Sequence, residues 1–286
     1  MLVSVLIPSF NVQSTVVDAI RSALAQSCEG QLEIVVYDDG STDRTVGIVE
    51  QWVRQDKRVR ILRAVTNRGS SHARNMLLDE ARGDWIAFLD ADDVFLPSKL
   101  ATCLEAANSH DSDFVTHDLG YLRADDEVVG RIRSDGFLQG SLLRRYLTEG
   151  LRFSETLSAG EDSQFLCLLK RKARHFHLSS VLTGIRIRRG SLTDKFWFQK
   201  RLIELWHERH KDVPPPQNID GYIEFYHSLS IAERLGNNRR WLGQKFGRSA
   251  AGAVLAGNRF VAAYYLLGSF VLNPSYLLSR LKNNRS

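Results

Sequence analysis

The stretch Trp85-Ile86-Ala87-Phe88-Leu89-Asp90-Ala91-Asp92-Asp93 decides how this chain is read. An uninterrupted apolar run of strand length is a strand buried on both faces, and such strands belong to parallel sheets covered by helices. The run breaks into a charged loop, and Pro97 then opens a helix carrying Leu100, Cys103, Leu104 and Ala107 at inward spacing.

Upstream, the same alternation recurs. Residues 3–7 read as a strand, and residues 14–26 as a helix with Val16, Ile20, Ala23 and Leu24 on one face. A second strand spans 32–37. Ser41 or Thr42 then caps a helix with Val46, Val49, Trp52 and Val53 inward. A strand over 59–62 and a helix over 71–81, closed by Gly83, lead to the decisive stretch. Repeated βα units predict an α/β fold: a mainly parallel, Rossmann-like sheet flanked by helices. Downstream, a short strand is expected at 114–116, part of a hairpin at 128–132, helices at 141–147 and 163–172, and a strand at 181–187. From Lys195 the pattern is helical, broken by Pro214-Pro215-Pro216. The reading gives a catalytic domain over 1–212 and a helical C-terminal segment over 213–286.

Composition sets outer bounds. A hydrophobic content of 43% in 286 residues supports a substantial core without metal or disulfide. Cys28, Cys103 and Cys167 are far apart and form no CxxC, which fits reduced thiols and a cytosolic setting. The net charge of +5 is mild, and no aromatic-basic motif stands out, so nucleic acid is not an expected partner. The first residues lack a basic leader and are stopped by Pro8, and no apolar run reaches the ~18 residues of a membrane span. Residues 241–281 mix apolar runs with Lys245, Arg248, Arg259 and Arg280. That mixture fits either an interfacial helix on anionic lipid or helices packed on the catalytic domain.

In an open parallel sheet, ligands bind beyond the carboxyl ends of the strands. Here those ends carry Pro8-Ser9-Phe10-Asn11, Asp38-Asp39-Gly40-Ser41-Thr42-Asp43 and Asp90-Ala91-Asp92-Asp93. Carboxylates crowded together repel, and a divalent cation is the simplest way to offset them. Oxygen donors without clustered Cys or His suit Mg²⁺ or Mn²⁺. Mg²⁺ typically takes only one or two protein carboxylates and leaves room for substrate phosphates. Neither GxxxxGK[ST] nor a GxGxxG after the first strand is present. Taken singly, Asp-Gly-Ser-Thr-Asp and Asp-Ala-Asp-Asp also suit turns and helix caps.

Taken together, residues 3–11, 36–43, Asn67-Arg68-Gly69 through Ala73-Arg74-Asn75, and 88–93 resemble the successive signatures of family 2 glycosyltransferases with the A-type nucleotide-sugar fold. The resemblance is dense over the first hundred residues and thin to about residue 193. It implies that Pro8, Phe10 and Asn11 line a nucleobase pocket and that Asp39 contacts the base. It also implies that Arg74 lies near the donor, that Asp90 faces the ribose or donor sugar, and that Asp92 is the metal ligand at the diphosphate. Asp93 is open between that group and a helix cap. Ala159-Gly160-Glu161-Asp162-Ser163-Gln164-Phe165 resembles the family's later Glu-Asp motif, which makes Asp162 the general base. A helix N-terminus there suits an ionised carboxylate. Arg188-Arg189-Gly190-Ser191-Leu192-Thr193 resembles a stretch that closes over the site, without the His that many relatives carry.

The implied activity is metal-dependent, inverting transfer from a nucleoside-diphosphate sugar, UDP-sugar favoured, to a saccharide acceptor. Similarity to bacterial exopolysaccharide enzymes implies a lipid-linked oligosaccharide acceptor and a cytoplasmic enzyme touching the inner face of the plasma membrane. Three alternatives stand beside it. A processive synthase is echoed by Asn237-Asn238-Arg239-Arg240-Trp241, with Asn where that family's signature has Gln. A sugar-phosphate nucleotidyltransferase would carry a Gly-rich basic loop in place of Asn11-Val12-Gln13-Ser14. A non-catalytic nucleotide-sugar-binding protein would not need both Asp92 and Asp162.

Overall fold

Strand β1 (Leu2–Ser9) sends alternate side chains into two separate cores. Val3, Val5 and Ile7 enter one core, with Val16, Ala19, Ile20 and Ala23 of α1 (Val16–Leu24) and Leu100, Cys103 and Leu104 of α4 (Lys99–Ser109). Leu6 enters the other, with Ala73, Leu77 and Leu78 of α3 (Ser70–Glu80) and Phe165, Leu166 and Leu169 of α5 (Glu161–Lys172). Helices therefore cover both faces of the sheet. The computed structural model describes residues 1–28, 30–123, 127–132, 137–157, 160–186, 197–210, 213–216 and 218–255, with single positions among 263–272.

The first half of the sheet is parallel, in the order β3 (Val59–Arg63), β2 (Gln31–Asp38), β1 and β4 (Trp85–Phe88). Helix α2 (Thr45–Gln55) joins β2 to β3 and buries Val49. Beyond β4 the sheet becomes mixed: β8 (Ser141–Arg144), β6 (Phe114–Leu122), β9 (His175–Arg186) and β5 (Val94–Phe95), with β7 (Val128–Ile132) beside β6. Strands β6 and β9 run parallel, whereas β8 is antiparallel to both β4 and β6.

Four local expectations are corrected. The helix expected over 141–147 is strand β8 followed by a 3-10 turn, Arg145–Thr148. Leu142 and Leu143 enter opposite cores, so pairing with β4 and β6 overrides a helix-like spacing. Strand β6 continues to Leu122 because β9 pairs along it, and the two-residue β5 carried no periodic signal. Neither Ser41 nor Thr42 caps α2; Asp43 takes that role, accepting from the Thr45 amide at 2.9 Å. Gly83 does not close α3, which ends at Glu80. A Cβ there would lie 2.7 Å from Ser4 N and Oγ, so glycine permits close approach to β1.

The chain divides into two compact units, Met1–Phe196 and Trp197–Ser286. The division precedes α6 (Trp197–Arg209), so this helix lies in the second unit and not in the domain expected over 1–212. In the second unit, α7 (Ile219–Ser228) is capped by Asn218, and Tyr226 stacks on Trp241 of α8 (Ile231–Leu255). Among the described residues no helix is long and apolar enough to cross a membrane.

Candidate functional site

The strand ends of the parallel half carry most of the expected residues. At the end of β1, Asn11 adopts φ 51°, a left-handed conformation that Asn tolerates better than most residues. Its backbone N–H donates to Ser41 Oγ at 2.9 Å, and its Oδ1 accepts from the Thr42 amide at 2.9 Å. Asn11 thus fastens the β1 loop to the β2 loop. Beside it Phe10 is 43% exposed, an apolar ring left facing outward at the strand's end. Pro8 lies opposite Tyr37 in the β1–β2 register.

Asp39 is buried, and its carboxylate accepts from the amides of Arg68 (3.0 Å) and Gly69 (2.7 Å) at the start of α3. A carboxylate there is favoured by the helix dipole and satisfies amides that have no partner in the helix. Asp38 is also buried. Its Oδ2 accepts from the Ser41 amide, while Oδ1 has no hydrogen-bond partner.

Arg74 of α3 is the centre of the acidic part of the site. Only 5% exposed, its guanidinium lies 3.2 Å from Asp90 Oδ1, 3.0 Å from Glu161 Oε1 and 2.8 Å from Asp162 Oδ1. Burial disfavours the cation, but the carboxylates of Asp162, Asp90 and Glu161 outweigh it and hold Arg74 above its ordinary pKa. Glu161 and Asp162 occupy the first turn of α5, where the sequence placed them, behind Gly160 in the left-handed region (φ 89°). Ser70 also donates to Glu161, tying the start of α3 to the start of α5.

Asp90, Asp92 and Asp93 each offer a carboxylate oxygen, and these lie within 4.8 Å of one another. Asp93 has a structural task as well: it is 5% exposed and accepts from the Arg186 amide at 3.0 Å, anchoring the end of β9. The first turn of α4 is held instead by Gln26, whose Oε1 accepts from the Leu100 amide at 3.0 Å. Asp90 is held on both oxygens, by Arg74 on Oδ1 and by Gln139 Nε2 on Oδ2.

Of the expected residues, Arg74, Asp90 and Asp162 are in direct contact, and Asp92 adjoins them through Asp90. Phe10, Asn11 and Asp39 form the β1–β2 part of the site. Glu155 and Gln139 carried no sequence signal. Glu155 pairs with His72 (3.2 Å) and Arg68 (3.4 Å), and interactions with these side chains hold its pKa down against burial. The arginine stretch at 188–193 lies outside the described residues.

A half-parallel, half-mixed sheet with acidic loops at its strand ends is the A-type glycosyltransferase fold. The chain belongs to glycosyl transferase family 2, whose model matches residues 4–176. It is 27% identical over 227 residues to a putative teichuronic acid biosynthesis glycosyltransferase of Bacillus subtilis, covering 72% of this chain and 90% of that one. It is 34% identical to the succinoglycan biosynthesis protein ExoO of Rhizobium meliloti, covering 56% and 53%. It is 30% identical to a Campylobacter jejuni GalNAc(5)-diNAcBac-PP-undecaprenol beta-1,3-glucosyltransferase, covering 61% and 62%. The chain thus spans less than two thirds of the length of the last two. Among solved structures, the Pyrobaculum calidifontis mannosyltransferase PcManGT in complex with GDP-Man and Mn²⁺ superposes with TM-score 0.62 at 21% identity, covering 99% and 86%. S. aureus TarS 1-349 in complex with UDP does so with TM-score 0.60 at 19% identity, covering 98% and 92%.

Proposed function

We propose that this chain transfers a sugar from a nucleoside-diphosphate sugar, a UDP-sugar by preference, to a saccharide hydroxyl with inversion at the anomeric carbon. The observation that carries the reading is the Arg74 guanidinium, which touches both Asp90 and Asp162. One side chain thereby couples the carboxylate assigned to the donor with the carboxylate assigned to the acceptor.

In this reading Phe10, with Pro8 and Asn11, flanks the nucleobase, and Asp39, which also fixes the start of α3, contacts the base. The all-oxygen donor set around Asp92 and Asp90 fits Mg²⁺ or Mn²⁺. When bound, such a cation offsets charge on the leaving nucleoside diphosphate. Asp162 takes the proton from the acceptor hydroxyl. The oxygen attacks the anomeric carbon, the bond from that carbon to the phosphate oxygen breaks, and the nucleoside diphosphate departs. A single displacement converts an α-linked donor into a β-glycoside.

The test begins with a panel of UDP- and GDP-sugars scored for nucleotide release with a membrane extract as acceptor source. Release should require Mg²⁺ or Mn²⁺ and stop with chelator. Asp162→Asn should lower turnover by about 10²-fold or more while donor binding persists; full turnover in that variant removes the base assignment. Asp92→Ala should lose metal-dependent donor binding.

The acceptor reading is a lipid-linked oligosaccharide in exopolysaccharide assembly, on the cytoplasmic face of the membrane. It is supported by the name of the Campylobacter relative and by an outward apolar stripe on α8, where Ile231 (69%), Leu235 (64%) and Leu242 (41%) are exposed. Transfer of one sugar per encounter is preferred to processive synthesis, and product length on a defined acceptor separates the two.

A further inference from the structure

We propose that Gln139 is a positioning residue for Asp90, set in place from the protein interior by Lys99 and Thr183. The inference rests on the reading of Asp90 as a donor-facing carboxylate. Gln139 sits in a 3-10 turn, Leu138–Gly140, that leads into β8. Its side-chain Nε2 donates to Asp90 Oδ2, while Arg74 takes Oδ1 at 3.2 Å. A carboxylate held by a different donor on each oxygen cannot spin about its terminal bond, so its plane is fixed before any ligand arrives.

The two donors are chemically unlike, and the difference matters. Arg74 is shared among Asp90, Glu161 and Asp162, so its position answers to the base as well as the donor side. The Gln139 amide adds a second hold on Asp90 without another charge. Its own anchorage is independent of the site. Its backbone carbonyl accepts from Lys99 Nζ of α4 at 3.0 Å and from Thr183 Oγ1 of β9 at 3.1 Å. Both donors are completely buried, and Lys99 Nζ also lies 3.4 Å from the centre of the Phe95 ring. Ser141 Oγ fastens the same turn through the Leu138 carbonyl. Two elements remote in sequence thus converge on one backbone oxygen, and that backbone presents one amide to Asp90.

Nε2 makes the one polar contact described for the Gln139 side chain. Gln139 Oε1 is buried with no hydrogen-bond partner. The side chain accepts that loss while keeping Nε2 on Asp90, which points to the Asp90 contact as the reason for the residue. Lys99 then has a role that the reaction itself does not explain: a buried amine that holds a turn rather than a substrate.

The test is donor binding by calorimetry on the full chain with Mn²⁺. The probe is whichever of UDP-glucose, UDP-N-acetylglucosamine and GDP-mannose binds the unaltered chain most tightly. Gln139→Ala should weaken binding about tenfold, the scale of one hydrogen bond to a charged group. Gln139→Met, which keeps the volume and loses the donated hydrogen, should do the same if the alanine variant folds poorly. Gln139→Glu should be worse than either, because it sets a carboxyl group against Asp90. In an Asp90→Asn background, Gln139→Ala should add little, since the two act on one contact. Lys99→Met should weaken binding by a smaller factor. Unchanged binding in both Gln139→Ala and Gln139→Met overturns the inference, as does a full multiplication of the Gln139→Ala and Asp90→Asn effects. Wild-type binding in Asp90→Asn instead removes the reading of Asp90 on which the inference stands. Failure of all three sugars to bind removes both.

Discussion

Arg74 is the residue on which most of the site's electrostatics depend. It is a buried cation facing Asp90, Glu161 and Asp162, and the ion pairs compensate a desolvation that neither side could bear alone. Arg74→Met should therefore destabilise the fold by about 3–5 kcal/mol, the cost of leaving buried charges unpaired. Arg74→Lys restores the charge but not the fork, and one ammonium cannot reach Asp90 and Asp162 in the same geometry. Urea unfolding should show that variant recovering part of the stability, while nucleotide release stays at least tenfold down; wild-type release would remove the bridging role. The carboxylates around Arg74 were legible in the sequence because each lies beside a strand end or helix start with a recognisable local pattern. Gln139 was not. Its contact with Asp90 spans 49 positions of chain, and nothing in Leu138-Gln139-Gly140 announces a partner. Asp93 was legible only as an acid, since its bond to the Arg186 amide depends on where β9 ends.

Elements were legible in proportion to how far local patterning agreed with tertiary pairing. The parallel half, from β1 to β4, reads directly from its apolar runs. Strand β8 does not, because Leu142, Leu143 and Leu147 fit a helix until β4 and β6 claim the backbone. Helix α5 matters most for the proposed reaction, since its first turn carries Glu161 and Asp162. Gly160 precedes it at φ 89°, a conformation that costs other residues roughly 1–2 kcal/mol. Gly160→Ala should lower stability by about that amount and shift the helix start, reducing turnover more than donor binding. Equal loss in both would mean that the turn serves the fold as a whole. Helix α8 presents a different element-scale case. At 100° per residue, Ile231, Leu235 and Leu242 fall within a ~40° arc, and Arg239 flanks it. If that stripe lies on lipid, Leu235→Glu should reduce co-sedimentation with anionic vesicles several-fold while nucleotide release in detergent is kept. Unaltered co-sedimentation would assign the stripe another purpose.

At the scale of the whole molecule, the fold buries basic groups that periodicity cannot reveal. Lys99 reads in sequence as an ordinary polar residue near a helix start, yet it is completely buried. Burial pushes its pKa down to about 7, and pushes His117 down to about 3, with Lys99 adding to the effect on His117. Cys103, on the same helix as Lys99, is pushed up to about 12 by burial. These shifts tie global stability to pH in determinate directions. Between pH 7 and its ordinary value of 10.5, Lys99 is largely neutral when folded and protonated when unfolded, so unfolding takes up a proton and stability rises with pH. His117 acts in the same sense lower down: from its ordinary value near 6.5 toward 3, stability falls as pH falls. Cys103 opposes them above its ordinary value of 9.0, where the unfolded thiol ionises and the folded one does not. The window from pH 7 to 9 therefore isolates Lys99. Over it, the unaltered chain should gain roughly 1–3 kcal/mol relative to Lys99→Met, since one proton is worth about 1.4 kcal/mol per pH unit. Urea titrations of the two proteins at pH 7, 8 and 9 measure that difference directly. Parallel pH profiles would mean that Lys99 keeps its proton in the fold, and its hold on the Gln139 turn would then be that of a buried cation rather than a largely neutral amine.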